Sequence, residues 1–397
     1  MADKKRNGLK EVQTDYAKLH AQIKAHRKKI VRRIVEIVIF AALIILIVNL
    51  LLALQNYNDY EIESSIERES TTISQFEEFK DYIIEYSNDG IRCVAKTGEL
   101  IWNQAFEMTN PVVGVTDAYL MVYDRGGTTV FILAEEGLQK RIDTTSAIQT
   151  VCLAKQGTIA VLMKEDNESQ VKLFDKKGNE LANGKFYDSK GSFPVDIALS
   201  LDGQKLAVSM IDVTNKEIGT SISFYNFGSV GQSEVDNVVG SYKLEGILIP
   251  EIEYVSDSRM LALGTGKVFI FEGNQKPEIA KELELENEVL SYFYNEKYIG
   301  TICDNPEMEN SWHIKVMDMN GKVVMENDTA IVYDNIDFLS NNEICVSNKT
   351  QCELFTVHSI KKFSYTFDKE LYKIIAGNGR RKYTFIFKET TEEVRLK

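Results

Sequence analysis

Histidine, tryptophan, proline and cysteine are all scarce in this chain: four, two, five and five residues among 397. Each shortage closes off a chemistry. His20 and His26 precede the one long apolar run, which leaves only His313 and His358 after it, 45 residues apart. Two histidines are a poor basis for a His₃ or His₂Glu zinc site. The cysteines (Cys93, Cys152, Cys303, Cys345 and Cys352) are odd in number and form no CxxC. They sit in apolar runs and read as buried thiols, not as a disulfide framework. In EICVSNKTQCELF, a two-residue turn at Asn348-Lys349 sets Cys345 opposite Cys352, a geometry often unfavourable for a disulfide. No HExxH, GxSxG, P-loop or βαβ-type GxGxxG occurs. The expectation is a protein with no catalytic, cofactor or metal constellation, and not an enzyme.

What is present is one apolar stretch, Ile34–Leu54 (IVEIVIFAALIILIVNLLLAL), in which only Glu36 and Asn49 are polar. As a helix rising about 1.5 Å per residue, it matches the ~30 Å hydrocarbon core of a bilayer. Met1–Arg33 carries 11 Lys/Arg and 3 Asp/Glu, a net of +8. Glu36 adds −1, so a chain total of −13 leaves −20 for residues 55–397. His26-Arg27-Lys28-Lys29 and Arg32-Arg33 precede the run directly, and Asp59, Glu61, Glu63, Glu67 and Glu69 follow it against Arg68 alone. The positive-inside rule then puts the N-terminus in the cytoplasm and the long C-terminal part outside. The basic segment is too long, and the apolar run too long, for a cleaved signal peptide. The expectation is a retained single-pass anchor at 34–54, in the cell membrane. A domain so acidic is no non-specific nucleic-acid binder, because neutralising phosphates takes clustered Lys and Arg.

Before the anchor, Leu9, Val12, Tyr16, Leu19, Ile23, His26 and Ile30 follow a 3-4-3-4 spacing. That is the seam of a short heptad helix, suited to an anionic lipid surface or to a partner helix, including self-association. Residues 1–33 are thus expected as a basic cytoplasmic helix, and polar, acidic 55–72 as a stalk. From 73 to 397 the grammar changes to short runs of β-branched and aromatic residues broken by Asp, Asn, Gly and Lys. Gly90–Phe106, Thr129–Ile142, Val171–Phe186 and Ile314–Asn327 share one phrase: apolar strand, tight turn, second strand. Gly98, Gly137, Gly178 and Gly321 fall at a fixed place in the turn, where φ > 0 is needed. Units near 72–107, 111–145, 147–187, 193–246, 247–287, 288–328, 331–368 and 370–397 repeat at roughly 40 residues, the mark of a β-propeller. The fold class is all-β, with about eight four-stranded blades. The last lacks an obvious fourth strand, and seven is the alternative if the terminal strands share one closing blade.

Two phrases carry a resemblance. Asp196–Ser209 (DIALSLDGQKLAVS) looks like the strand–turn–strand phrase of bacterial WD40-like and YVTN-like propellers. Val94–Trp102 (VAKTGELIW) looks like the hairpin of quinoprotein-like propellers, including the scaffold subunit of the outer-membrane barrel assembly machine. The whole layout resembles an uncharacterised Firmicutes family of single-span membrane proteins with a propeller-like extracytoplasmic domain. The resemblance implies a cell-surface propeller without an assigned activity. With only Trp102 and Trp312 present, the tryptophan docking motifs of quinoprotein dehydrogenases are missing.

Three long loops join second and third strands in this reading: Lys164–Gln170, Asp212–Gly219 and Asp304–Ser311. Asp166, Glu168, Asp304, Glu307 and Glu309 make two of them acidic, and loops on a rigid scaffold are where binding concentrates. These five are the candidate partner- or cation-binding rim. The function expected is a membrane-anchored, non-enzymatic scaffold of the cell envelope whose partner is an envelope protein or a wall polymer. The alternatives are a sensor that relays extracellular binding through the span to the N-terminal helix, and an envelope hydrolase.

Overall fold

The computed structural model describes residues 3–397 except 54, 69–74, 188–190 and 214–217; for 3–15, 17 and 46–53 it describes the backbone only. The chain forms two compact units, the first ending at Asn56 and the second spanning Tyr57–Lys397. The first is one helix, Asp3–Ala53, with no break between the basic segment and the apolar run. No proline interrupts it, and its residues are mostly unbranched or apolar helix formers. Arg32 Nε donates to Glu36 Oε1 at 3.0 Å, one turn on. Tyr16, Leu19, Ile23 and Ile30 are all exposed, so the heptad seam has no cover within the described chain. Among the described residues no helix is long and apolar enough to cross a membrane. The run Ile34–Leu54 has described side chains only as far as Ile45, and the rest of it lies outside them.

Among the described residues, the second unit contains eight four-stranded antiparallel sheets. They are the blades of an eight-bladed β-propeller. Blades 1 to 7 are residues 75–105, 111–143, 147–187, 192–245, 251–284, 291–329 and 335–366. Each is a meander from the inner strand outward. Blade 8 takes three strands from residues 371–396 and its fourth from Tyr60–Glu67, which pairs antiparallel with Thr390–Leu396.

This corrects the expected stalk. Tyr60–Glu67 (YEIESSIE) is a strand, and the ring has eight blades, not seven. Its polar sequence hid it, because an outermost strand exposes most of its side chains. Basic partners across the sheet match its acidity: Glu63 meets Lys382 at 2.8 Å and Arg395 at 2.5 Å. Tyr60 packs edge-on against Tyr365 and Phe385 with ring centroids 5.1 and 5.3 Å apart.

The turn chemistry follows the sequence. Asp175 Oδ1 accepts from the amides of Lys177 and Asn179, and Asp318 Oδ1 from those of Asn320 and Lys322. Gly178 and Gly321 close these turns at φ +81° and +80°, where a Cβ is strained. All five cysteines are free. The register pairs Ser347 with Cys352 and Cys345 with Leu354, so the two hairpin thiols are not directly opposite.

Eight apolar clusters fill the eight seams between blades, and they are unequal. The seam between blades 7 and 8 buries 14 apolar residues, including Phe363, Phe367, Phe385 and Phe387. Among the described residues, the seam between blades 8 and 1 buries four: Phe76, Ile83, Ile375 and Ile386. Charge fills the difference. Arg68 Nη2 reaches Glu85 Oε2 at 2.8 Å, with the two side chains only 12% and 10% exposed. Arg92 holds the same carboxylate, Arg68 donates to Phe387 O, and its guanidinium lies 4.2 Å from the Phe76 ring centroid. Breaking such a buried pair is costly, whereas a surface pair is worth little. Arg68→Ala is expected to lose about 2–4 kcal/mol in urea unfolding. Lys80→Ala, which removes an exposed pair with Glu135, is expected to leave stability nearly unchanged. Equal losses would show that the closing seam is apolar in its energetics.

Candidate functional site

The inner strands line the central channel, and their charges are one-sided. Glu77 and Glu78 come from blade 1, Asp196 from blade 4, Glu251 and Glu253 from blade 5, and Asp337 from blade 7. Lys373 of blade 8 is their only cation on these strands. An inner strand leaves one backbone edge unpaired, and side chains of neighbouring blades supply the missing partners. Asp196 Oδ2 accepts from the Ile252 amide at 2.8 Å. Gln149 Nε2 donates to Val195 O, Cys152 Sγ to Ile197 O and Ser209 Oγ to Ile249 O. These contacts tie blades 3, 4 and 5 together along the lumen.

That arrangement shifts protonation. Burial pushes Asp196 up to about 7, against the pull of its amide bonds. Burial also pushes Glu253 up to about 8, and the neighbouring carboxylates Asp196 and Glu251 add to the rise. Both groups face a lumen enclosed by protein, which disfavours the charged form. The Tyr294 hydroxyl donates to Glu251 Oε1 at 2.8 Å.

On the opposite wall lies a cavity of about 1400 Å³ bounded by blades 7, 8 and 1. Lys373 Nζ meets Glu77 Oε2 there at 2.9 Å. Burial pulls its pKa down, but Glu77 and Asp337 more than compensate and hold it above the ordinary lysine value. Asp337 itself is raised, by burial first, despite Lys373. The cavity also contains the turns Ser87–Asp89 and Ser347–Lys349, which join second and third strands. Those turns lie on the propeller face that carries the long loops, and Leu339 and Ser340, between first and second strands of blade 7, line the other end.

The five sequence-derived rim residues do not form one site. Asp166 and Glu168 belong to blade 3 and Asp304, Glu307 and Glu309 to blade 6, with blades 4 and 5 between them. Glu168 begins a strand and is neutralised by Lys185 at 2.6 Å. Asp166, Asp304, Glu307 and Glu309 are exposed. No group of three or more metal-ligating side chains occurs among the described residues. The channel carboxylates escaped the sequence reading, although one signal was available: charge inside a unit's first apolar run, as in QFEEF, EIEYV and NIDF.

Raised carboxylate pKa values carry a definite sign. Between roughly pH 4 and 8 the folded chain keeps protons on Asp196 and Glu253 that the unfolded chain releases, so their contribution to stability falls as pH rises. Asp196→Asn preserves an acceptor for the Ile252 amide and removes the charge. It is expected to match the parent near pH 4 and to exceed it by about 1–2 kcal/mol near pH 8, after allowance for water in the lumen. Urea unfolding at both values tests this, and a parallel offset at both would refute it.

The fold has solved counterparts. BamB from Moraxella catarrhalis is similar at 12% identity and TM-score 0.50, over 85% of this chain and 100% of that one. A eukaryotic initiation factor is similar at 13% identity and TM-score 0.50, over 83% of each chain. At these identities the likeness shows the propeller fold alone. No curated protein matches the sequence. A family model matches residues 53–396, nearly the whole second unit, and the chain belongs to that family, DUF5711, a family of unknown function.

Proposed function

We propose that this protein is a non-enzymatic interaction scaffold, anchored in the cell membrane through Ile34–Leu54, with its propeller on the extracytoplasmic side. The anchor and its orientation rest on the sequence: 21 residues with two polar side chains, basic before and acidic after. The scaffold reading rests on one face of the ring. Loops between second and third strands and connections between blades share that face. It exposes Ile218, Leu290, Met308 and Val332 together with Asp166, Asp304, Glu307 and Glu309. Large exposed apolar side chains rimmed by charge mark protein-binding surfaces. A partner of the cell envelope, protein or wall polymer, fits this face, and the −20 charge of residues 55–397 speaks against nucleic acid.

A relay reading draws on a separate observation, the unbroken helix Asp3–Ala53 with its exposed seam. Self-association through that seam would couple copies on the cytoplasmic side. Ile23→Pro interrupts the helix. It is expected to abolish a relayed response and to spare scaffolding.

Protease added to intact cells is expected to remove the propeller and leave the basic segment; full protection would overturn the orientation. Cross-linking in intact cells, read by mass spectrometry, tests the scaffold. The variant Asp304→Lys/Met308→Asp/Glu307→Lys is expected to lose the parent's cross-linked partners at an unchanged melting temperature. Unaltered cross-links would exclude this face.

A further inference from the structure

We infer that the cavity between blades 7, 8 and 1 is a binding site for an extended basic peptide segment, the part of a partner that the scaffold face receives. This rests on the scaffold reading above. Among the described residues, the charged lining of the cavity is six carboxylates (Glu77, Glu78, Asp89, Asp334, Asp337 and Glu370) and three lysines (Lys349, Lys373 and Lys388). All three lysines are already engaged. Lys373 lies 2.9 Å from Glu77, and Lys349 and Lys388 share Glu370 at 3.2 and 3.8 Å. Glu78 has Lys96 at 3.8 Å. Asp89, Asp334 and Asp337 have no lysine or arginine within 4.0 Å among the described residues. Two unpaired carboxylates, Asp89 and Asp334, thus border one cavity, and Asp337 beside them feels Lys373 without a direct pair.

The rest of the lining suits the same ligand. Phe338 and Tyr372 present half-buried aromatic rings, and Phe76 stacks behind Tyr372 at 5.6 Å. Rings beside carboxylates favour ammonium and guanidinium groups. Lys373 is an internal precedent, a cation of the chain itself held on this wall between Glu77 and Asp337. At about 1400 Å³ the space exceeds the usual 300–1,000 Å³ of a small-molecule pocket and takes several peptide residues. The carboxylates are spread along two blades and do not converge on a point, which suits charges spaced along a chain better than one metal ion.

The test uses the full-length protein in detergent and a fluorescein-labelled peptide of alternating lysine and glycine. Anisotropy titrations compare it with a glutamate counterpart and with spermine as competitor. The lysine peptide is expected to bind with a salt-dependent affinity, and the glutamate peptide not to bind. Asp334→Asn/Asp337→Asn is expected to weaken binding at least tenfold, with an unchanged melting temperature. Glu278→Gln/Glu282→Gln, on the exposed outermost strand of blade 5, is expected to leave it unchanged. Equal loss in both variants would assign the effect to general surface charge and overturn the site. So would no loss in either. Spermine competing as well as the peptide would reduce the site to a polyamine site and overturn the peptide assignment. In-cell cross-linking separates the two readings. Partners retained by Asp334→Asn/Asp337→Asn overturn this inference and leave the scaffold intact, whereas a parent without any partner overturns the scaffold.

Discussion

Ring closure is the constraint on which the rest of this propeller depends. Seven blades are built from consecutive strands and could each form locally, but the eighth is incomplete until Tyr60–Glu67 joins Thr390–Leu396, over 300 residues away. Contacts this distant in sequence form late and slowly, because chain entropy must be lost before the pairing repays it. Closure is then reinforced from several directions. Tyr60 enters the aromatic cluster of the 7–8 seam, Glu63 pairs with Lys382 and Arg395, and the Lys397 amide donates to Asp59 O.

Beside the closing strand lies the least apolar seam of the ring. Four buried apolar residues cannot match the 14 of the neighbouring seam, and Arg68, Glu85, Lys373 and Glu77 occupy the interface in their place. Ion pairs need space and orientation that close-packed side chains do not leave. The large cavity borders this seam, and the correlation has a physical cause: fewer interdigitating side chains leave more lumen. The polar seam contributes less hydrophobic stabilisation and leaves, in exchange, a charged wall along the cavity.

Much of the fold was legible in the sequence because each blade repeats a local instruction. Asp175 and Asp318 fold their turns through bonds to residues two and four positions on, and Gly178 and Gly321 accept the left-handed backbone. Such chemistry is contained within one window. The closing strand was illegible for the opposite reason. YEIESSIE is exposed along most of its length, so nothing in its pattern demands a core. The loops at 164–170 and 304–311 do join second and third strands, and residues 214–217 of the third loop lie outside the described ones. Asp166 and Asp304 look alike in sequence and stand on blades 3 and 6, with two blades between them. Lys373 and Glu77 show the same limit in reverse, being 296 positions apart and joined only when blade 8 meets blade 1.

The channel chemistry follows from the propeller's own edge problem. Every inner strand presents unpaired backbone groups to the lumen, and a ring of eight cannot add further strands there. Side chains must complete those edges, and Asp196 does so by accepting the Ile252 amide. An acceptor carboxylate placed in an enclosed lumen beside Glu251 and Glu253 is then forced toward its protonated form. The carboxyl groups at blades 4 and 5 are thus partly a by-product of joining blades. On the far wall the balance is local: Glu77 and Asp337 keep Lys373 charged despite burial. One fold therefore holds a buried acid near neutrality at one wall and a buried cation in its charged form at the other, each through its nearest neighbours.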